Sequence, residues 1–169
     1  MIAVREVTQE DWELLRDVRL TALAEAPDAF GSTHAQEAAF TEDQWRGRIS
    51  GPAVLFFAHE QPGPHVDRKP HVNTAPVGLA GVYADDGAAD LISMWVRPSA
   101  RGLGVGEALV TAVADWAKAH DLGPLYLWVT ESNAPARRLY ERCGFTPTGE
   151  RQPLPSDPTL PEIRMGRVL

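Results

Sequence analysis

The stretch LISMWVRPSARGLGVGEAL, residues 91–109, constrains this chain more than any other. An apolar, β-type run from Leu91 to Val96 passes through Pro98 into a glycine-rich turn, and the turn leads directly into an amphipathic helix. In such a strand–turn–helix the first helical N–H groups are unpaired and point at one spot, with the positive end of the helix dipole behind them. Gly102, Gly104 and Gly106 remove the Cβ atoms that would keep a ligand off the backbone. The product is a cradle for phosphate.

Two familiar cradles are excluded by the residues around the glycines. A P-loop needs Gly-Lys-Ser/Thr, whereas Gly106 is followed by Glu107 and Ala108, so no lysine reaches a γ-phosphate and no hydroxyl is placed for Mg²⁺. The dinucleotide fingerprint needs GxGxxG, but the glycines run GxGxG from Gly102. No acidic residue suited to a ribose closes a following strand, because Asp121 and its neighbours read as a loop. ATP-driven and hydride-transfer chemistry are both disfavoured.

The rest of the chain supplies a layered frame for this turn. Ile2 and Val4 suggest a first short strand, and Thr8-x-x-Asp11 forms a near capping box. Trp12, Leu15, Val18, Ala22 and Leu23 follow at helical spacing, and Pro27 stops that helix. Thr41-x-x-Gln44 opens a second, shorter helical segment containing Trp45 and Ile49. Residues 53–59 and Val77 to Ala84 read as strands, and Asp85-Asp86-Gly87 turns the latter into an antiparallel hairpin with the strand ending at Val96. Residues 60–75, rich in Pro, His and charge, carry no apolar period and read as a long exposed loop.

Beyond the cradle, Val105, Ala108, Leu109, Ala112, Val113 and Trp116 form one helical stripe ending near His120. Gly123-Pro124 precedes a strand over Leu125–Thr130. Asn133 caps the next helix with Pro135 just inside it, and Gly144 terminates that helix. A final strand includes Ile163 and Met165. The expectation is one α/β domain over residues 1–169, a mixed sheet with helices on both faces.

Composition narrows the class. At 169 residues and 44% hydrophobic, the chain buries one core and hardly two. It has no apolar run long enough for a membrane span and no signal-peptide start. Its single cysteine, Cys143, reads as a small core residue and suits a reducing cytoplasm. A formal charge of −7 argues against nucleic acid and is compatible with a cationic or amine substrate. The five histidines are scattered; His65 and His71 share the 60–75 loop with Asp67 without paired ligand spacing, so no metal is expected.

A wider pattern gives the cradle a family. The strand, Val96-x-Pro98 and Arg101-Gly102-Leu103-Gly104-Val105-Gly106 resemble the acetyl-CoA signature of the GNAT acetyltransferases, Arg/Gln-x-x-Gly-x-Gly/Ala. Downstream, LYLWVTESNAPARRLYERCGF resembles that family's fifth strand, then Asn133, a short helix, Tyr140 and the Tyr-x-x-x-Gly-Phe ending at Phe145. Both matches fall in the family's order and at its usual separation, over roughly residues 75–150.

The resemblance implies a mostly antiparallel central sheet, splayed between the cradle strand and the strand at Leu125–Thr130 so that pantetheine can insert there. It implies acetyl-CoA as donor, held by the backbone of Met94, Trp95 and Val96 and by Arg101 through Glu107, that is Arg101, Gly102, Leu103, Gly104, Val105, Gly106 and Glu107. Asn133 would also bond pantetheine, although it caps the helix in any case. Tyr140 falls where the family often places its general acid; the alternative is a core aromatic. Arg97, Arg101, Arg137 and Arg138 could form a positive patch for the coenzyme, or Arg137 and Arg138 could be ordinary solvated helix residues.

The base is where the sequence departs from the family. Some N-terminal protein acetyltransferases carry glutamate where Trp128 stands here, and an indole cannot accept a proton. Asp90, early in the cradle strand, and Glu37 are the remaining carboxylate options. Phe30, Ser32 and Glu37 lie where the family builds its acceptor wall, and residues 150–158 could close the other side. The resulting expectation is a cytoplasmic N-acetyltransferase acting on a primary amine of a small molecule, with a homodimer left open. Acetylation of a protein N-terminus or lysine is the alternative within enzymes, and a non-catalytic acyl-CoA sensor the alternative outside them.

Overall fold

The computed structural model describes residues 1–61 and 75–169; most of the 60–75 loop, with His65 and His71, lies outside the described residues. Strand β1 (Ile2–Glu6) leads through a 3-10 turn (Gln9–Asp11) into α1 (Trp12–Glu25). A second 3-10 turn (Pro27–Ala29) precedes α2 (His34–Ala38) and α3 (Glu42–Ser50). Then come β2 (Ala53–Glu60), β3 (Gly78–Asp85), β4 (Ala88–Val96), α4 (Val105–Ala119), β5 (Leu125–Thr130), α5 (Ala134–Arg142), β6 (Thr146–Leu154) and β7 (Asp157–Arg167). The strands form one seven-stranded sheet in the order β1-β2-β3-β4-β5-β7-β6. Every neighbouring pair is antiparallel except β4 and β5, so the sheet is mixed and mostly antiparallel, with helices on both faces.

Local chemistry explains most element boundaries. The Thr8 amide donates to Asp11 Oδ2 at 2.8 Å, which closes the capping box ahead of α1. Thr41 and Gln44 make the same reciprocal pair ahead of α3. A third box, Thr33 with Gln36, starts α2, a short helix that the sequence reading does not include. Strand β6 is likewise absent from the sequence reading: Pro147 and Pro153 and an almost wholly exposed face hide its period. Residues 150–158 are therefore a β6–β7 hairpin with its tip near Phe30, whose carbonyl accepts a hydrogen bond from the Ser156 hydroxyl.

The two faces bury two separate clusters. Phe56, Ala58, Ala80, Val82, Leu91, Leu109, Val113, Leu125, Leu127, Val129 and Met165 pack with α4 on one face. Leu15, Val18, Leu23, Trp45, Leu55, Phe57, Leu79 and Trp95 pack with α1 and α3 on the other. Burial on both sides is why β2 reads as the continuous apolar run Val54 to Ala58. Helix α4 lies so close to β3 that a Cβ on Gly78 would stand 2.8 Å from Leu109 Cδ1 and 2.9 Å from Val105 Cγ1. No helix among the described residues is long and apolar enough to cross a membrane.

Candidate active site

Strands β4 and β5 touch at one end only. Their register pairs Ala89 with Leu125 and Asp90 with Tyr126, and no pair follows. From Leu91 onward the two strands diverge, leaving a cleft of about 630 Å³ lined by both. The main-chain edge of β4 facing this cleft has no strand to bond with, which leaves hydrogen-bonding groups for an extended ligand.

Strand β4 is also irregular on its other edge. Ile92 pairs with Gly81 and Trp95 with Leu79, so Ser93 and Met94 together stand opposite Ala80. Ser93 has φ +57°, a left-handed value unusual for a serine. This bulge reverses the alternation of the strand: Leu91 before it packs on the α4 side, whereas Trp95 after it packs on the α1 side. From sequence alone Leu91 to Val96 looks regular, and the kink is missed.

The glycine-rich turn between β4 and α4 lines the cleft as well. The first α4 amide with a helical partner is that of Ala108, which donates to the Gly104 carbonyl at 3.0 Å. Those of Val105 and Gly106 are free of intrahelical bonds, and that of Glu107 donates to its own carboxylate. Gly104 has φ +82°, and a Cβ there would meet nothing within 4 Å, so the glycine serves backbone shape and an open approach. The cradle therefore suits a diphosphate. Glu107 places a carboxylate in the same first turn, where it competes for the helix dipole; Arg142 of α5 offsets it through a 2.9 Å ion pair. That partner holds the Glu107 carboxyl below its usual range.

Tyr140 of α5 is buried and lines the cleft, its ring meeting Phe145 edge-on at 5.9 Å between centroids. Burial pushes its phenol well above the ordinary value, and Cys143 adds to the rise. The hydroxyl is thus protonated throughout the neutral range, and no protein group among the described residues hydrogen-bonds it.

On the α1 side the cleft is walled by Glu25, Ala26, Ala29, Ile92, Trp128 and Thr130. Glu25 Oε2 accepts both the Trp95 indole N–H at 2.9 Å and Arg101 Nη2 at 2.8 Å. Burial raises its carboxyl, but these two donors outweigh it and leave the group below its usual range. On the same face of β5, Arg164 lies over Tyr126 and Trp128 at 4.5 and 5.4 Å. Glu162, opposite Thr130 in the β5–β7 register, is pushed upward by burial, opposed by a 2.6 Å hydrogen bond from Gln152.

The cleft gathers most of the residues expected from the sequence: Met94, Trp95, Val96, Arg101, Gly102, Gly104, Val105, Gly106, Glu107, Asn133, Trp128 and Tyr140. Leu103 does not line it and points outward at 59% exposure, the tip of the turn. The Asn133 carboxamide oxygen is already engaged as helix cap, accepting from the Ala136 amide at 3.2 Å.

The acceptor-wall residues Phe30, Ser32 and Glu37 and the candidate base Asp90 fare differently, since none of them lines the cleft. Phe30 is buried beneath the Arg19 guanidinium at 4.6 Å. Ser32 donates to Gln36 in the α2 start. Glu37 is fully buried and ion-paired to Arg19 and Arg48, so it neither meets a substrate nor stands ready as a base. Asp90 sits at the closed end with Arg164 at 3.1 Å, its carboxyl raised by burial.

The arginine patch also differs in membership. Arg97 turns to the Pro76 carbonyl and Arg137 to that of Glu131, whereas Arg101, Arg138 and Arg142 line the cleft. Arg142 lies four residues beyond Arg138 on α5, a spacing that could have been read from the sequence. Glu25 carried no such signal. Among the described residues no group of three or more His, Cys, Asp or Glu is placed to hold a metal ion.

Known proteins share this chain's family pattern and its fold. Residues 17–145 match the acetyltransferase (GNAT) family. An N-acetyltransferase of Streptomyces griseus is 32% identical over 112 residues, 59% of this chain and 56% of its own length. A mycothiol acetyltransferase of Beutenbergia cavernae is 30% identical over 138 residues, 70% of this chain and 44% of its own. The chain thus spans about half the length of these relatives.

In fold, a GCN5-related N-acetyltransferase from Kribbella flavida superposes with a TM-score of 0.74 at 23% identity, covering 99% of this chain and 98% of the other. The PaiA N-acetyltransferase of Thermoplasma acidophilum, solved with coenzyme A, superposes at 0.67 and 14% identity, covering 100% and 99%. This chain belongs to the acetyltransferase (GNAT) family.

Proposed function

We propose that this chain transfers the acetyl group of acetyl-CoA to a primary amine of a small molecule, by direct attack in a ternary complex. The observation that carries the reading is the continuity of one cleft. It joins the amides that open α4, the unpaired edge of β4, the protonated phenol of Tyr140 and the wall at Glu25, whose carboxylate is paired with Arg101. In this reading the amides of Val105 and Gly106, with Arg138 and Arg142 nearby, hold the donor's phosphates. The β4 edge from Met94 to Val96 bonds the pantetheine arm.

The amine nitrogen attacks the thioester carbon, the C–S bond breaks, and the departing sulfur takes the proton of Tyr140 Oη. The attacking nitrogen releases its own proton to water, which restores the phenol. A backbone N–H of the β4 bulge aimed at the developing oxyanion contributes a few kcal/mol, as at other oxyanion holes (about 3 kcal/mol per donor). Support for a small amine comes from the indole at 128, which cannot accept a proton where some N-terminal protein acetyltransferases carry glutamate, together with a net charge of −7.

The test is calorimetry with coenzyme A and acetyl-CoA, then thiol release across polyamines, amino acids, aminoglycosides and peptides. Heat of binding with turnover of a small amine is expected. No heat with either form of the coenzyme removes the reading, binding without turnover on any amine favours a sensor, and turnover confined to peptides favours a protein acceptor.

A further inference from the structure

Glu37 has 0% exposure, the deepest carboxylate among the described residues, and three N–H groups hold it at 2.9 Å: Arg19 Nε and Nη2 as a fork and Arg48 Nη2 beside them. A buried ion group of this kind is weak evidence for stability, because well-packed apolar residues of similar volume serve as well or better. Its other contact indicates a different use. The remaining nitrogen of the same guanidinium, Arg19 Nη1, reaches Ser93 Oγ at 3.4 Å. Phe30 backs the guanidinium at 4.6 Å, so Arg19 is fixed from three sides.

Ser93 is the residue on which the shape of the cleft turns. It lines the cleft, sits in the bulge opposite Ala80, and holds φ +57° without being glycine. A non-glycine residue in that region persists when its surroundings over-determine it. A regular strand here would return the backbone of Ser93 and Met94 to pairing with β3 and swing Trp95 to the α4 side. Helix α1 thus grips β4 at the kink and just beyond it, through Arg19 at Ser93 and through Glu25 at Trp95.

We infer that Arg19, clamped by Glu37, is a positioning residue for acyl transfer: it holds Ser93 and thereby keeps the β4 bulge turned into the cleft beside the acyl group. The inference rests on the acetyl-transfer reading above. It assigns no substrate contact to Arg19 or Glu37. Arg48, half-exposed and stacked on Phe40 and Trp45 at 5.1 and 5.6 Å, balances the buried carboxylate from the other side.

The experiment compares wild type, Arg19→Lys, Ser93→Ala and the double variant, with the best amine from the panel. A lysine keeps the charge but cannot hold the Glu37 fork and Ser93 together. Each single change should lower kcat by about tenfold or more, the scale on which small misplacement of reacting groups acts. KM for acetyl-CoA and the calorimetric Kd for coenzyme A should change far less than kcat, because the α4 cradle is untouched and only the Met94 end of the pantetheine edge is disturbed. The double variant should be no slower than the slower single one, since both changes break one link.

Losses that multiply, or Arg19→Lys turning over as fast as wild type, overturn the inference. Should Arg19→Lys fail to fold, Ser93→Ala carries the test: wild-type kcat overturns it, and a fall in kcat that exceeds any change in Kd supports it. A wild type without turnover removes the acetyl-transfer reading and this inference together, whereas an active wild type with equally active variants removes this inference alone.

Discussion

Replacing Tyr140 by phenylalanine separates the chemistry of this residue from its packing. The ring is 5% exposed and packs against Phe145, and both features survive the change. Only the hydroxyl is lost, and it has no hydrogen-bond partner to orphan among the described residues. Stability should therefore move by less than about 1 kcal/mol. Turnover should not be spared. A positioned general acid contributes about 10² to 10⁴ in rate, or about 3 to 5 kcal/mol at the barrier.

The raised pKa sets the pH behaviour. A phenol held above its ordinary value stays protonated as pH rises, so the wild-type rate should climb as the acceptor amine loses its proton and show no falling limb below about pH 10. The assay is initial-rate thiol release from about pH 6 to about pH 10, with urea unfolding of both proteins as the control for folding. If Tyr140→Phe keeps half of the wild-type kcat, or the wild-type profile falls with a pKa near about 8, the phenol does not donate the proton.

Specific contacts set three further expectations. Gly104→Ala places a side chain at φ +82° in open space, so strain rather than a clash should cost about 1 kcal/mol of stability; the calorimetric Kd for coenzyme A should weaken as the cradle shifts, and an unchanged Kd would argue against phosphate binding there. Arg142→Ala breaks an ion pair whose partners are 60% and 45% exposed, so stability should change little, while coenzyme A binding should weaken several-fold and lose part of its salt dependence; equal Kd values at low and high salt in both proteins refute this. At Asp11, the 2.7 Å pair with Arg5 is the main cause that brings the carboxyl down from 3.8 to about 2, with burial opposing it. A carboxylate depressed in the folded state stabilises above its unfolded pKa and loses that contribution as pH falls through the folded value. Wild type should lose on the order of 1 kcal/mol between about pH 4 and about pH 2 that Asp11→Asn does not, as read by urea midpoints; parallel losses would exclude the pair as the cause.

Short-range spacing was enough for much of the fold. The capping boxes at Thr8 and Thr41, the stripe of α4, the strand at 125–130 and the Asn133 cap are all set by intervals of a few residues, and each stands where those intervals put it. The cradle was legible for the same reason, because glycines, proline and helix start lie close together along the chain. Strand β6 and helix α2 escaped because prolines and short length blur the period on which such reading depends.

The acceptor side took shape only in three dimensions. Glu37 looked available until Arg19, 18 residues away, closed on it, and Glu25 gained its role from Trp95 and Arg101, 70 and 76 residues away. The kink at Ser93 depends on how α1, β3 and β4 meet, not on the apolar pattern of β4 itself. Charges and main-chain kinks are settled by partners that the chain brings together only when its two faces are packed, and no local spacing encodes them.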